Sequence, residues 1–337
     1  MRIEQFRAED GRRADACYEI FRATRALDDP DVPLMSRRVF GVLLTTGWVG
    51  DPRETWLLAD DDGIAGWYLL ELSARDNRHL GFLNIAVRPE RQRRGFGTAL
   101  LRHAASRAVA DGRRLLTGYA FTGTAGEGFA RAAGATRGLT EIQRAMDTGS
   151  ISAERAAGLL AGTERASAGY SLVSWTAPTP EKYLDQVAAI NRSLYDAPHD
   201  PSIEEPVWDA ARVVATNRRI RRQGVRAYAV AARHDASGEL GGLTQVEVGL
   251  ESPEWAFQAL TAVSRAHRGH RLGLRLKLAM LELLARQEPQ VTHLLTGNAE
   301  TNAHMISINE ELGYYVLGQP ARSWELQAAG VAGPAQS

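Results

Sequence analysis

Residues 83–101 read L-N-I-A-V-R-P-E-R-Q-R-R-G-F-G-T-A-L-L. The apolar run ends at Arg88-Pro89, where proline removes a ladder donor and stops a central strand. A basic turn follows, and beyond Gly95 and Gly97 the apolar residues recur at helical spacing. Glycine lets the backbone approach a ligand closely, and the first amides of a helix have no partner within it. Together with the helix dipole those amides make a phosphate cradle. Gln92, Arg93 and Arg94 add side-chain donors. A bare glycine turn with a solvated basic face would look similar, but the preceding strand and following amphipathic helix favour phosphate.

The elements before and after this stretch recur later in the chain. The first pass predicts a strand near Ile3–Phe6, helices over Arg12–Leu27 and Ser36–Trp48, and strands at Thr55–Ala59 and Ile64–Leu72 around the hairpin signal D-D-D-G. A strand at Gly81–Val87 leads through the glycine turn to a helix over Gly97–Ala110. Then come a strand at Leu115–Phe121, a helix near Gly126–Ala133 and a strand near Thr140–Met146. An Ala-rich helix, Ala153–Ala166, connects to a second pass: strand Tyr170–Thr176, helices Pro180–Leu194 and Glu204–Gln223, strands Arg226–Ala232, Leu243–Val248 and Ala256–Val263. Helix Leu274–Gln287, strand Val291–Thr296, helix Ala303–Leu312 and strand Ser323–Leu326 complete it. The spacing from Gly95 to Gly273 is 178 residues and from Gly134 to Gly313 is 179, which points to a duplicated unit. The expected boundaries are 1–148, a connector at 149–169, a second domain at 170–328 and a flexible tail at 329–337.

Composition agrees with two globular domains. The chain has 337 residues, and domains run to roughly 150 residues each. Lys+Arg and Asp+Glu are 40 each, so the net charge is zero, which argues against broad nucleic-acid binding. Cys17 is the sole cysteine, so neither an internal disulfide nor a cysteine zinc site can form. No signal-peptide pattern and no apolar run of membrane-spanning length is present. The expectation is a cytoplasmic protein, monomer or homodimer, with no metal, no membrane and no nucleic-acid partner.

The segment 83–101 resembles the pyrophosphate motif of the GNAT acyltransferases, Gln/Arg-x-x-Gly-x-Gly/Ala, and Gln92-Arg93-Arg94-Gly95-Phe96-Gly97 matches every defined position. Element order extends the resemblance to the whole chain, which is similar to tandem GNAT proteins such as mycothiol synthase and the tandem acetyltransferases of actinomycete antibiotic clusters, including that for clavulanic acid. The resemblance implies an α/β fold of two tandem GNAT domains, each a mixed, mostly antiparallel sheet flanked by helices. It also implies acetyl-CoA or another acyl-CoA, with pantetheine along Ile85, Ala86 and Val87 and pyrophosphate on the turn from Gln92 to Thr98.

The second half repeats the motif as T-A-V-S-R-A-H-R-G-H-R-L-G-L-R-L-K, residues 261–277. Thr261, Val263, Gly269, Arg271, Gly273 and Arg275 are its expected CoA-binding residues. Gly273 is taken as the close-approach glycine, so that the turn carries two extra positions and Arg275 stands where Gly97 stands in the first half. Residues 296–315 read T-G-N-A-E-T-N-A-H-M-I-S-I-N-E-E-L-G-Y-Y. Asn302 matches the family's cleft asparagine and Asn309 occupies the place of its acidic tyrosine, where an amide can hydrogen-bond sulfur but not act as an acid. Asn298 is expected beside the cleft; capping of the following helix is the alternative role for Asn298 and Asn302. In the first half Gly123 and Ala130 hold those two places, with no useful side chain.

Amine acylation needs a base, and Glu247 on a hairpin strand is the candidate, with Glu71 its first-half analogue. The expected division is an N-terminal CoA site that is structural and a C-terminal site nearer to chemistry, acting on a small-molecule amine in antibiotic or other secondary metabolism. The competing reading is a non-catalytic acyl-CoA-binding or sensor protein; protein-lysine acetylation lacks an evident acidic docking groove.

Overall fold

The computed structural model describes residues 1–7, 10–47, 51 and 53–332. Two compact units emerge. The first comprises Met1–Glu141, Asp200–Glu204 and the chain from Gly318 onward, and the second comprises Ile142–His199 and Glu205–Leu317.

The first unit begins with β1 (Arg2–Gln5), α1 (Gly11–Asp28) and α2 (Arg37–Leu43), followed by β2 (Arg53–Asp60), β3 (Gly63–Glu71) and β4 (Leu80–Val87). Next come α3 (Phe96–Ala110), β5 (Leu115–Phe121), α4 (Ala125–Ala132) and β6 (Thr136–Asp147). Strand alternation explains its two cores. Leu58, Tyr68 and Leu70 face Leu100, Leu101 and Ala104 of α3, whereas Leu57, Trp67 and Leu69 face Cys17, Ile20 and Phe40 of α1 and α2. The expected helix Ser36–Trp48 is shorter, with Ser36 capping Val39 N, and Trp48 lies outside the described residues.

The second unit contains α5 (Ala153–Ala166), β7 (Tyr170–Thr176), α6 (Leu184–Arg192), α7 (Ala210–Gln223), β8 (Arg226–His234) and β9 (Leu240–Val248). It continues with β10 (Trp255–Val263), α8 (Leu272–Gln287), β11 (His293–Ala299), α9 (Ala303–Glu311) and β12 (Tyr315–Val316). Its core repeats the alternation: Val230, Val246 and Val248 pack under α8, while Ala229, Ala231 and Leu243 pack against Val187, Ile190 and Val213 of α6 and α7. Helix α7 starts later than Glu204 because Pro206 restricts the residue before it, and Asp209 caps Arg212 N at 2.8 Å.

The chain's last strand departs from expectation. β13 (Ala321–Gln327), expected to close the second half, pairs antiparallel with β5 from Ala321↔Phe121 to Gln327↔Leu115, and with the first half of β6. The end of β6 belongs to the second unit, where Ala145 pairs with Tyr315 of β12. Beyond β13 the expected flexible tail begins as a short helix, α10 (Ala328–Val331), whose Ala328 is fully buried in the α3 core; residues 333–337 lie outside the described residues.

One feature is shared and positions the site. β4 and β5 are parallel but pair only through Phe82↔Thr117, although both strands run on. β10 and β11 likewise pair only through Phe257↔Leu295. Past those points each pair splays and opens a cleft in its sheet, at the strand ends that lead to α3 and α8.

Candidate active site

Both clefts end at a helix whose N-cap residue is left-handed and makes no side-chain cap. Gly95 (φ 84°) precedes α3, and Arg271 (φ 51°) precedes α8. Five other helices, α1, α2, α5, α7 and α9, carry a capping side chain that accepts from a first-turn amide. The uncapped first amides of α3 and α8 are therefore free to meet an anion. Space is tight one residue inside each helix: a Cβ on Gly97 would lie 3.3 Å from Phe129, and one on Gly273 would lie 3.2 Å from Ile308. Uncapped amides with only glycine-sized clearance fit a CoA pyrophosphate lying on the helix end.

This geometry corrects the expected alignment of the second turn. Gly273 is the second residue of α8 and matches Gly97, and ten residues separate Val87 from Gly97 and Val263 from Gly273 alike. The turn carries no extra positions. Gly269 (φ 89°) matches Arg93 (φ 63°), each supplying the other left-handed residue of the turn. Arg275 does not stand at the Gly97 place; it lies two residues further on, donating to Ser167 Oγ at 2.7 Å and Tyr170 O at 3.0 Å.

The two turns also differ in charge. Arg93 and Arg94 are exposed, with no acidic partner among the described residues. Arg91 is instead buried, ion-paired to Asp60, with its guanidinium 5.1 Å from the centroid of the Phe96 ring. In the second turn Arg265 and Arg268 both grip Asp196, holding its carboxyl down at about 2, and Arg271 pairs with Glu311. Gln92 donates back to Val87 O at 3.3 Å, the Phe96 ring and Ala86 are core, and Thr98 is exposed at the helix start. Ile85, Val87 and Val263 pack at the edges of their cores.

The cleft strands are unequal. β9 and β10 change register between Gln258 and Leu260, leaving Ala259 as a bulge, whereas β3 and β4 run in register from Gly66↔Val87 to Glu71↔Phe82. A bulge re-aims backbone amides out of the ladder. Here Gln258 Nε2 donates to Thr244 Oγ1, Gln245 O and Leu260 O, and Thr244 Oγ1 meets Thr261 Oγ1 at 2.7 Å. Thr261 is thus part of the bulge's support. The matching pair in the first unit is Tyr68 opposite Ile85.

Of the proposed catalytic side chains, Glu247 is buried and accepts from Arg219 at 3.1 Å. Glu71, opposite Phe82 as Glu247 is opposite Phe257, is held by Arg53 at 2.6 Å. Each carboxylate is thus held by an arginine, Glu247 by Arg219 of α7 and Glu71 by Arg53 of β2. Asn302 caps α9, accepting from Met305 N at 3.2 Å, the alternative its position allowed. Asn309 is fully buried and donates to Asn298 at 2.7 Å. The sequence reading missed its other partner, Lys277, buried on α8, although Leu276, Met280 and Leu284 mark that face as internal. Among the described residues no group of metal ligands is assembled, and no helix is long and apolar enough to cross a membrane.

Residues 51–133 match the family model for the acetyltransferase (GNAT) domain. Among solved structures, a tandem GNAT protein from the clavulanic acid biosynthesis pathway aligns over 99% of both chains, with a TM-score of 0.78 and 26% identity. A GCN5-related N-acetyltransferase from Sphaerobacter thermophilus aligns over 97% of this chain and 95% of its own, with a TM-score of 0.69 and 14% identity. A GNAT-family acetyltransferase from Colwellia psychrerythraea aligns over 97% and 100%, with a TM-score of 0.54 and 11% identity. The latter two share the fold. No curated protein sequence matches.

Proposed function

From the premise that this is a tandem GNAT protein, with an acetyltransferase domain at residues 51–133, we propose an acyl-CoA-dependent N-acetyltransferase whose chemistry is done in the second unit. The observation that carries this is the stapled bulge at Ala259, found in β10 and missing from β4. Acyl transfer builds negative charge on the thioester oxygen, and backbone amides turned out of a ladder can meet that charge. Acetyl-CoA would lie on the α8 end through the amides around Leu272–Leu274, with its arm in the cleft between β10 and β11. The amine attacks the acyl carbon after losing its proton to water or an acceptor group other than Glu247.

The first unit favours a second role. Its uncapped helix and two free arginines support tight CoA binding, while its cleft lacks the bulge and any polar side chain at the Gly123 and Ala130 places. We assign it a structural or regulatory CoA site. The acceptor is a small-molecule amine, and similarity to a clavulanic acid pathway protein supports a place in antibiotic or other secondary metabolism, in the cytoplasm.

The test is release of free CoA thiol from acetyl-CoA across a panel of small amines. Acceptor-dependent release stopped by a bulky residue at Gly273 is the expected result. Release with no acceptor dependence would leave the protein as an acyl-CoA-binding sensor.

A further inference from the structure

The second unit buries a lysine that no carboxylate answers among the described residues. Lys277 is 2% exposed, and its Nζ donates to Asn309 Oδ1 at 2.9 Å. Its other close neighbour is the Tyr314 ring, 4.9 Å away at the centroid. Burial alone brings the amine from 10.5 down to about 7. Asn309 in turn donates from Nδ2 to Asn298 Oδ1 at 2.7 Å.

The line has a direction. An ammonium has three donors and no acceptor. Asn309 must therefore turn its oxygen to Lys277 and its nitrogen to Asn298, and Asn298 must accept with its oxygen. The Asn298 Nδ2 is left as an outward donor with no protein acceptor among the described residues. Asn298 is half-buried and stands three residues past Leu295, the last residue of β11 paired with β10, in the splayed part of the strand.

The first unit shows that the fold does not require this trio. Leu101, four past Gly97 as Lys277 is four past Gly273, is packed core. Ala130 stands four before Gly134 as Asn309 stands four before Gly313, and Ala120 stands three past the last paired residue, Thr117. An unpaired buried cation opposes folding, so its presence in one unit alone points to use in that unit.

We propose that Lys277 is a positioning residue which, through Asn309, locks the Asn298 amide with its N–H toward the sulfur of acyl-CoA in the second cleft. The inference rests on the reading of that cleft as the acyl-transfer site. In transfer, the bond from the amine nitrogen to the acyl carbon forms and the carbon–sulfur bond breaks. The sulfur takes the electron pair, and the amine's proton goes to water. Asn298 donates a hydrogen bond to the thiolate as its charge develops, without giving up a proton.

The experiment uses the full chain with CoA, following thiolate absorbance against pH. In the wild type, CoA bound in the second unit is expected to ionise about one pH unit below free CoA. Cys17, buried with its thiol pushed up to about 12, stays silent in that range. Asn309→Asp is the discriminating variant: its carboxylate still answers Lys277, so the fold is supported, but it cannot donate to Asn298. Asn309→Asp, Asn298→Ala and Lys277→Met should each abolish the second-site depression and cut acetyl-CoA turnover about tenfold, with KM for acetyl-CoA within about twofold. Wild-type ionisation and turnover in Asn309→Asp would show that the trio only satisfies a buried lysine, and would overturn the inference. CoA bound with no depression in the wild type overturns it equally, while leaving the proposed function intact. Absence of CoA from the second unit removes both.

Discussion

Gln258 Nε2 donates to Thr244 Oγ1 at 2.8 Å while also reaching the carbonyls of Gln245 and Leu260. One amide thus ties β9 to both sides of the bulge. Gln258→Leu should cost about 1–3 kcal/mol by taking a donor from Thr244 Oγ1 and Gln245 O, while Leu260 O keeps its bond from Thr244. Because the bulge would relax into register, turnover should fall at least tenfold with CoA affinity little changed. Chemical denaturation and steady-state kinetics check this, and unchanged kcat would detach the bulge from catalysis.

The two glycines one residue inside the helices give a count. Gly97→Trp and Gly273→Trp each fill a space already bounded by Phe129 or Ile308. Each variant should lose one bound CoA by native mass spectrometry, and the double variant should lose both. An occupancy unaffected by Gly97→Trp would remove the first site.

Arg275 is a brace for the start of β7. Arg275→Ala should lower stability by about 1–2 kcal/mol, through the lost bonds to Ser167 and Tyr170. The CoA dissociation constant should move less than about twofold. A large loss of CoA affinity would return this arginine to the phosphate.

Glu247 and Arg219 form a buried pair, so removing one partner strands the other. Arg219→Leu should destabilise by about 3 kcal/mol or more. Glu247→Gln should lower the melting temperature without shifting the pH–rate profile of the folded enzyme. A lost limb in that profile would restore Glu247 as a base.

Lys277 gives stability a pH slope. Its amine sits near 7 in the folded chain against 10.5 unfolded, so between those values the unfolded chain binds more protons and stability rises with pH. The cost is fully present below about pH 7 and is relieved toward pH 10.5. Lys277→Met should flatten this slope and raise stability at neutral pH by about 2 kcal/mol. Denaturant midpoints measured from pH 6.5 to 9.5, roughly spanning the shift, decide it.

Much of the architecture was legible because its signals are local. The run from Leu83 to Leu101 carries strand, turn and helix within one stretch, and its counterpart at 261–277 repeats the pattern. The alignment of the second turn slipped by two because glycine was taken as the marker of the left-handed cap, and there Arg271 adopts that backbone instead. Pairing of β13 with β5 joins residues some two hundred positions apart, and no local pattern reports such a partner. The bulge at Ala259 depends on register, and the Glu247–Arg219 pair on a helix packed over the sheet, so neither shows in a linear motif. Lys277 could have been found: it lies on the same helix face as Met280 and Leu284, a place where a charge needs a reason.

The place of β13 carries a consequence for how the protein is made. A ribosome releases residues 321–327 long after β5 and β6, so until then the sheet of the N-terminal unit has a gap between those two strands. Two unpaired strand edges wait there, each able to recruit a foreign strand. Completion of the first unit's sheet therefore waits on β13, and a chain cut short before residue 321 would be faulty in the unit made first.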